Sequence, residues 1–372
     1  MKPWIPDQLP LAVLDAGRLI SAVGEANAAL SGYDGLLRGM VNPGLMLSPL
    51  LANEAVLSSR IEGTQATLGD VFESDAGEEE DDPEKKADLD EVLNYRAAMR
   101  EASDALRERP ITLGLIRALH AILMRGVRGQ DKEPGTFRTE QNWIGPKGCQ
   151  MEQANFVPPN PIIMGEHLDS LELYVAGEDL DPLVQAAVFH AQFEIIHPFK
   201  DGNGRLGRLL IPLFIFCKNR IHVPMFYLSG YLDTNRDEYY GRLRAITDHS
   251  EWNEWVLFFL RAITHQARLN TSVAQSMMDL YEKTKTDVQE ATHSRYSAQI
   301  TDMLFKNPIF RISTMTILAE IPAPTSHQLV KSLIDNKIVT QIRQSSGRRP
   351  ALYVYPKLMN LAEGRVIFAE PN

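Results

Sequence analysis

His197-Pro198-Phe199-Lys200-Asp201-Gly202-Asn203-Gly204-Arg205-Leu206-Gly207-Arg208 is the stretch from which the rest of this 372-residue chain is read. Proline disfavours helical geometry in the residue before it, so the spacing predicts that His197 closes a preceding helix. Gly202 and Gly204 allow a sharp turn with amides pointing inward, a concave nest for an anion. A helix restarting near Asn203 adds its positive end to that nest. Arg205 and Arg208, three positions apart, then share a helical face beside it. The ligand expected from these residue types is a polyphosphate.

Working outward, Leu183 to Ile196 is apolar almost all round, the pattern of a helix inside a bundle. Leu206 to Phe216 reads the same way, with Pro212 as a site for a kink. The quoted run is therefore a loop braced by two interior helices. Trp252, Trp255, Phe258 and Phe259 recur at helical spacing and are read as core. The expected fold class is mainly α.

The run matches HPFx[D/E]GNGRxxR, the signature of the Fic (Fic/DOC) family, at every fixed position, and the first two regions of the chain resemble that family. The resemblance implies a Fic-type helical bundle that transfers AMP from ATP to a Tyr, Thr or Ser hydroxyl of a target protein, and of the chain itself. In such a transfer the attacking oxygen must lose its proton, and only His197 in the run can take it near neutral pH. The family gives the equivalent histidine the same role. Asp201 is a hard oxygen ligand suited to Mg²⁺. Asn203 with the amides around Gly202 and Gly204 is expected at the α-phosphate, Arg205 on the β-phosphate side and Arg208 at the γ-phosphate. Phe199 is the packing anchor of this nucleotide loop, and Lys200, at the variable position, is expected to face solvent.

Upstream, Ser58-Ser59-Arg60-Ile61-Glu62-Gly63-Thr64 places Ser58 and Glu62 on one helical face, with Gly63 as terminator. It is similar to the inhibitory pattern [S/T]xxxE[G/N] of the family, in the class whose inhibitory helix is N-terminal. That resemblance implies that Glu62 pairs with Arg208 and keeps it from a γ-phosphate. The same glutamate can instead orient a water for removal of AMP, so both directions stay open, as does transfer of another nucleotide.

Gly135-Thr136-Phe137-Arg138 through Asn142-Trp143-Ile144-Gly145 to Phe156-Val157-Pro158-Pro159 reads as a short β-hairpin. In the family a hairpin near this point is a flap that aligns the target segment by strand addition, which places Ile144 and Gly145 at the nucleotide. Tyr239 and Tyr240 occupy the place of a family tyrosine pair close to the adenine. Thr247 stands where the family can carry an asparagine.

With 38 Lys and Arg against 48 Asp and Glu, the formal net charge of −10 excludes a molecule built as a whole to coat nucleic acid. The two cysteines, Cys149 and Cys217, form no disulfide framework and fit a reducing cytoplasm. The N-terminal residues lack an apolar signal core, and no stretch is long enough to span a bilayer, so no membrane partner is expected. Ser74 to Lys86 is acidic and poor in apolar residues, and is read as a plain solvated loop.

The expected domains are an N-terminal helical region with the inhibitory helix (1–95), a catalytic core (96–290) and a winged helix-turn-helix domain (291–372). In the last, helical stretches near 297–306, 313–320 and 326–336 precede β-like runs at 338–342 and 351–355. Seven Lys and Arg (Lys306, Arg311, Lys331, Lys337, Arg343, Arg348, Arg349) face three acids between Thr301 and Pro356. DNA binding through this domain and docking of a protein partner both remain open. A DNA-binding regulator with a nucleotide-sensing core is the alternative to the enzyme, and a homodimer is expected from the resemblance.

Overall fold

The computed structural model describes residues 2–126, 132–146, 148–347 and 349–370. Arg348, one of the cations counted above, lies outside them. Two compact units are formed, one of Met1–Asp34, Leu57–Thr64 and Asp90–Arg268, the other of Gly35–Val56, Gln65–Leu89 and Leu269–Asn372. These units cut the chain elsewhere than the boundaries read from composition. Composition follows surface polarity along the chain, whereas compactness follows packing between distant segments.

The first unit is built on two buried helices. Pro182–Ile196 starts with Asp181 accepting from the Leu183 amide and with proline at its first position, and Leu183 to Phe193 are buried without a break. Asn203–Cys217 is buried from Arg205 to Ile215, with Pro212 inside it. Phe189 stacks on Phe214 across the pair, ring centres 5.2 Å apart. Helices Leu113–Leu123, capped by Thr112, and Pro161–Ala176, capped by Asn160, flank them. Trp252, Trp255, Phe258 and Phe259 are core as expected, and the Trp255 indole donates to Ala187 O at 2.8 Å. Burial of each such side chain contributes roughly 1.5–3 kcal/mol. The loop between the two interior helices thus hangs from a rigid frame.

The anticipated hairpin is reduced to one antiparallel bridge, Ile144 with Phe156, and Met151–Gln153 forms a 3-10 turn between its arms. Pro146 and Pro158 have no amide to donate, and Gly148 turns the backbone at φ 80°, so few consecutive residues can extend a ladder.

In the second unit, helices Ser297–Lys306, Ile312–Leu318 and Ala323–Asp335 accompany a three-stranded antiparallel sheet. Its strands are β1 (Ile309–Phe310), β2 (Thr340–Arg343) and β3 (Leu352–Val354), in the order β1-β3-β2. The short strand β1 and the closing helix Pro356–Glu363 were not read from the sequence.

The acidic stretch is not a plain loop. The helix starting at Pro83 takes up its end, and Glu78 binds both Arg311 and Arg343, while Asp81 meets Arg349 at 3.0 Å. Three cations counted toward a nucleic-acid surface are thus already paired within the unit. No helix among the described residues is long and apolar enough to cross a membrane.

Candidate active site

His197 ends its helix in the left-handed region, φ 49° and ψ 60°, with its amide donating to Phe193 O at 3.0 Å. This turns the imidazole out of the helix and into a polar cavity of about 360 Å³. Glu62, Asp201, Asn203 and Arg205 line the same cavity. The ring nitrogen Nδ1 lies 3.3 Å from Glu194 O. A carbonyl can only accept, so Nδ1 carries the hydrogen and Nε2 keeps its lone pair. Burial, with Arg138 adding to it, draws the imidazole pKa down to about 4. The sequence reading took an ordinary histidine; the site holds one that is neutral throughout the physiological range.

The loop beyond it is clamped by its own side chains. Asn203 Oδ1 accepts from the Phe199 amide and its Nδ2 donates to Phe199 O, both at 2.9 Å. The Asn203 amide therefore closes the loop, and main-chain amides are left to face an anion. Phe199 is fully buried and stacks on His120 with ring centres 3.7 Å apart, as a packing anchor should. Gly202 sits at φ 75° as the cap of the following helix, and a Cβ there would come within 2.7 Å of Met124 Sδ. At Gly204 a Cβ would collide with Glu62 Oε1 and lie 3.0 Å from Arg208 Nη1. That glycine is what allows a carboxylate over the start of the helix, the place where such helix ends receive anions.

Arg208, 1% exposed, donates from Nε to Ser58 Oγ at 3.1 Å and from Nη2 to Ser58 O at 2.8 Å. Its Nη2 also reaches Glu62 Oε1 at 2.7 Å. Burial pushes the Glu62 carboxyl up, but the charge and hydrogen bond of Arg208 outweigh it and hold the group below its ordinary value. The helix Ser48–Ile61 stops one residue before Glu62, and Gly63 follows at φ 103°. The sequence had placed Glu62 within the last turn. Arg205, also buried, has Nη1 2.8 Å from Glu91 Oε2 and Nη2 3.9 Å from Asp201 Oδ1. Asp201 is 49% exposed on the cavity wall, and among the described residues no three His, Cys, Asp or Glu side chains gather into a metal cage. Lys200 does not simply face solvent: it borders the cavity and pairs with Glu133 at 2.8 Å.

A second, largely apolar cavity of about 510 Å³ is lined by Ile144, Phe156, Tyr240, Leu243 and Thr247, among others. It brings the bridge residues and Tyr240 together. Tyr239 is elsewhere, buried in the core with its hydroxyl 2.8 Å from His190 Nε2. Gly145 is packed against Cys149 and Ala154.

Sequence reasoning missed Glu91, Glu194 and His120. Glu91 also accepts from Thr64 Oγ1 at 3.3 Å. Glu194 Oε1 is buried without a hydrogen-bond partner among the described residues, and burial raises the carboxyl to about 8. His120 accepts from the Gly135 amide at Nδ1 and, through Nε2, donates to Asp201 O at 2.9 Å. None of the three belongs to the quoted run or the inhibitory pattern. Only Glu194, three residues before His197 and the one acid in the helix Pro182–Ile196, carries a local signal.

Residues 20–104 match the model described as Fic/DOC family N-terminal, and residues 110–215 match that described as Fic/DOC family. The probable protein adenylyltransferase aq_aa38 of Aquifex aeolicus is 31% identical over 114 residues, 28% of this chain and 33% of that protein. Protein adenylyltransferase fic-1 of Caenorhabditis elegans is 29% identical over 161 residues, 42% of this chain and 28% of that protein. The chain thus spans about a third or less of the length of these curated relatives. Among solved structures, a Fic family protein from Desulfovibrio desulfuricans G20 shares the fold with a TM-score of 0.56 at 20% identity, over 95% of this chain and 98% of that one. A Fic domain containing signaling protein from Bacteroides thetaiotaomicron gives 0.56 at 19%, over 68% and 96%. The two family models, taken together, cover the helix before Glu62 and the interior helices that carry the histidine and both arginines, and the chain belongs to the Fic/DOC family.

Proposed function

We propose that this chain is a protein adenylyltransferase that moves AMP from ATP to a hydroxyl side chain of a protein, and that Glu62 restrains it. The observation that carries this reading is the convergence of a neutral imidazole, a helix start and the buried Arg205 on one polar cavity, with the buried Arg208 paired to Glu62 of its wall.

His197 Nε2 takes the proton of the incoming hydroxyl as its oxygen bonds to the α-phosphorus. The bond to the bridging oxygen breaks, and pyrophosphate leaves with the electron pair. Main-chain amides at Asn203 and Gly204 face the α-phosphate, where charge builds, while the Gly202 amide donates to Asp201 Oδ1 at 2.6 Å. Arg205 and Arg208 neutralise the leaving group on its β and γ sides. Asp201 offers one exposed carboxylate at the cavity wall, which fits Mg²⁺, an ion that takes most of its other ligands from phosphates and water. Bound there, the ion would add Lewis-acid charge neutralisation.

The apolar cavity beside Tyr240 has the character of a base pocket, with Ile144 and Phe156 closing it from the flap. The bridge edge at Ile144 is suited to pair with an extended target segment. The Arg208–Glu62 pair supports the restraint, since an arginine so tied is not free to clamp a triphosphate. Glu62 is also 36% exposed toward the cavity, which keeps removal of AMP as a second reading. The DNA-binding alternative loses support, since Arg311, Arg343 and Arg349 are occupied by Glu78 and Asp81.

Purified wild type and Glu62→Gly, incubated with α-labelled ATP, UTP, GTP and CTP, test the proposal. Label in protein from ATP, rising in Glu62→Gly, is expected. Absence of label in both would remove it, and loss of AMP from a pre-labelled protein would favour the second reading.

A further inference from the structure

Arg138 follows Gly135, at the start of the segment read as the flap. It is 2% exposed. Its Nε donates to His197 O at 2.9 Å, Nη1 to Glu140 O at 3.2 Å, and Nη2 to Pro159 O at 2.6 Å and Ile196 O at 3.3 Å. Its own amide donates to Pro198 O at 2.9 Å. Each acceptor is a main-chain carbonyl, and no carboxylate among the described residues pairs with it. A buried guanidinium without a counter-ion is costly unless local dipoles compensate. Here the last carbonyls of the Pro182–Ile196 helix, which lack helical partners, supply the negative end that does so.

The four acceptors of the guanidinium belong to three places that chemistry must hold in register. Glu140 lies in the first arm of the flap, Pro159 just beyond its second arm, and Ile196 and His197 carry the base. We propose that Arg138 is a positioning residue, tying both ends of the flap to the His197 backbone so that the imidazole meets a hydroxyl delivered along the flap. A planar fork with fixed donor directions suits this task, and a lysine point charge does not.

The bland role is helix capping that holds the fold and nothing more. The two roles differ at the imidazole. The charge of Arg138 lowers the His197 pKa, whereas Glu62 and Asp201 raise it. Burial leaves Arg138 itself with a pKa near 10, so it stays charged at neutral pH.

This inference rests on His197 as the base. Its test has one readout independent of transfer: ¹⁵N titration of the His197 imidazole in Glu62→Gly, alone and combined with Arg138→Lys or Arg138→Gln. Arg138→Gln is expected to raise the imidazole midpoint toward its ordinary value, with burial, the larger cause, still holding it below. Arg138→Lys keeps the charge and therefore the low midpoint. In both, kcat for transfer should fall about tenfold to a hundredfold, with KM for ATP within about twofold and folding checked by thermal melting. Folded variants with the parent's midpoint and kcat would overturn the proposal. If Glu62→Gly itself transfers no AMP, the functional reading fails, while the titration still decides whether Arg138 sets the imidazole.

Discussion

Arg208 and Glu62, 146 positions apart, meet at 2.7 Å with unequal freedom: the arginine is 1% exposed and the glutamate 36%. The guanidinium is held by Ser58 from the other side and cannot leave. Glu62 stands just past a helix end beside Gly63, so it is the partner that can swing away. Under the proposed function, release of the restraint would be displacement of Glu62, with Arg208 staying in place for a phosphate.

Glu62→Gly should raise self-modification by at least about tenfold, the weight of one charged contact. Glu80→Gly, in the other unit, should change nothing. Incorporation of label from α-labelled ATP checks both.

Ser58→Ala removes the hydroxyl that accepts from Arg208 Nε but leaves the main-chain acceptor. In the Glu62→Gly background, KM for ATP should rise about three- to tenfold, since a hydrogen bond to a charged group contributes about 1.5–3 kcal/mol and half of the support remains. Steady-state kinetics against ATP concentration measures it.

The pH profile of transfer in Glu62→Gly should be flat from pH 7 down to about 5 and fall below that. Protonation of His197 removes the lone pair that receives the hydroxyl proton, and burial first, then Arg138, places that step at about 4. A fall centred near 6.5 would mean an imidazole of ordinary character.

Glu194 gives a stability signature. Burial raises its folded pKa to about 8 from an ordinary 4.5. Between those values the folded chain holds a proton that the unfolded chain has lost. Stability from this group is therefore full below about 4.5 and declines as pH rises toward 8. Glu194→Gln should flatten that decline in denaturant titrations run from pH 5 to 8.

Glu78 accepts from both Arg311 and Arg343. Glu78→Gln leaves two guanidinium groups short of a counter-ion and should cost about 1–3 kcal/mol. The loss should shrink at high salt, as read from urea midpoints of the full chain.

The loop from His197 to Arg208 was legible because its constraints are local. Proline after His197, glycine at 202 and 204, and two apolar flanking helices dictate where helices stop and restart, and the observed ends at Ile196 and Asn203 follow. Tyr239 and Tyr240 show the limit. Adjacent on one helix, they look equivalent in sequence, yet one is buried against His190 and the other lines a cavity. A helical rotation of about 100° between neighbours separates them, and only the packing says which face is inside. The acidic stretch misled for the same reason: charge predicts solvation until opposite charges, here Arg311 and Arg343, are folded against it.

By itself the sequence determined the inventory and its local geometry: a histidine at a helix end, a glycine nest, arginines spaced to one face, and a carboxylate before a glycine. Backbone preferences and residue chemistry act over a few positions, so they can be read in order. Which carboxylate neutralises which arginine, Glu62 with Arg208 and Glu91 with Arg205, was decided by the tertiary structure. So was the bond from Arg138 to the carbonyl of His197. Those pairings join residues far apart in the chain, and only the packed helices bring them within hydrogen-bond reach.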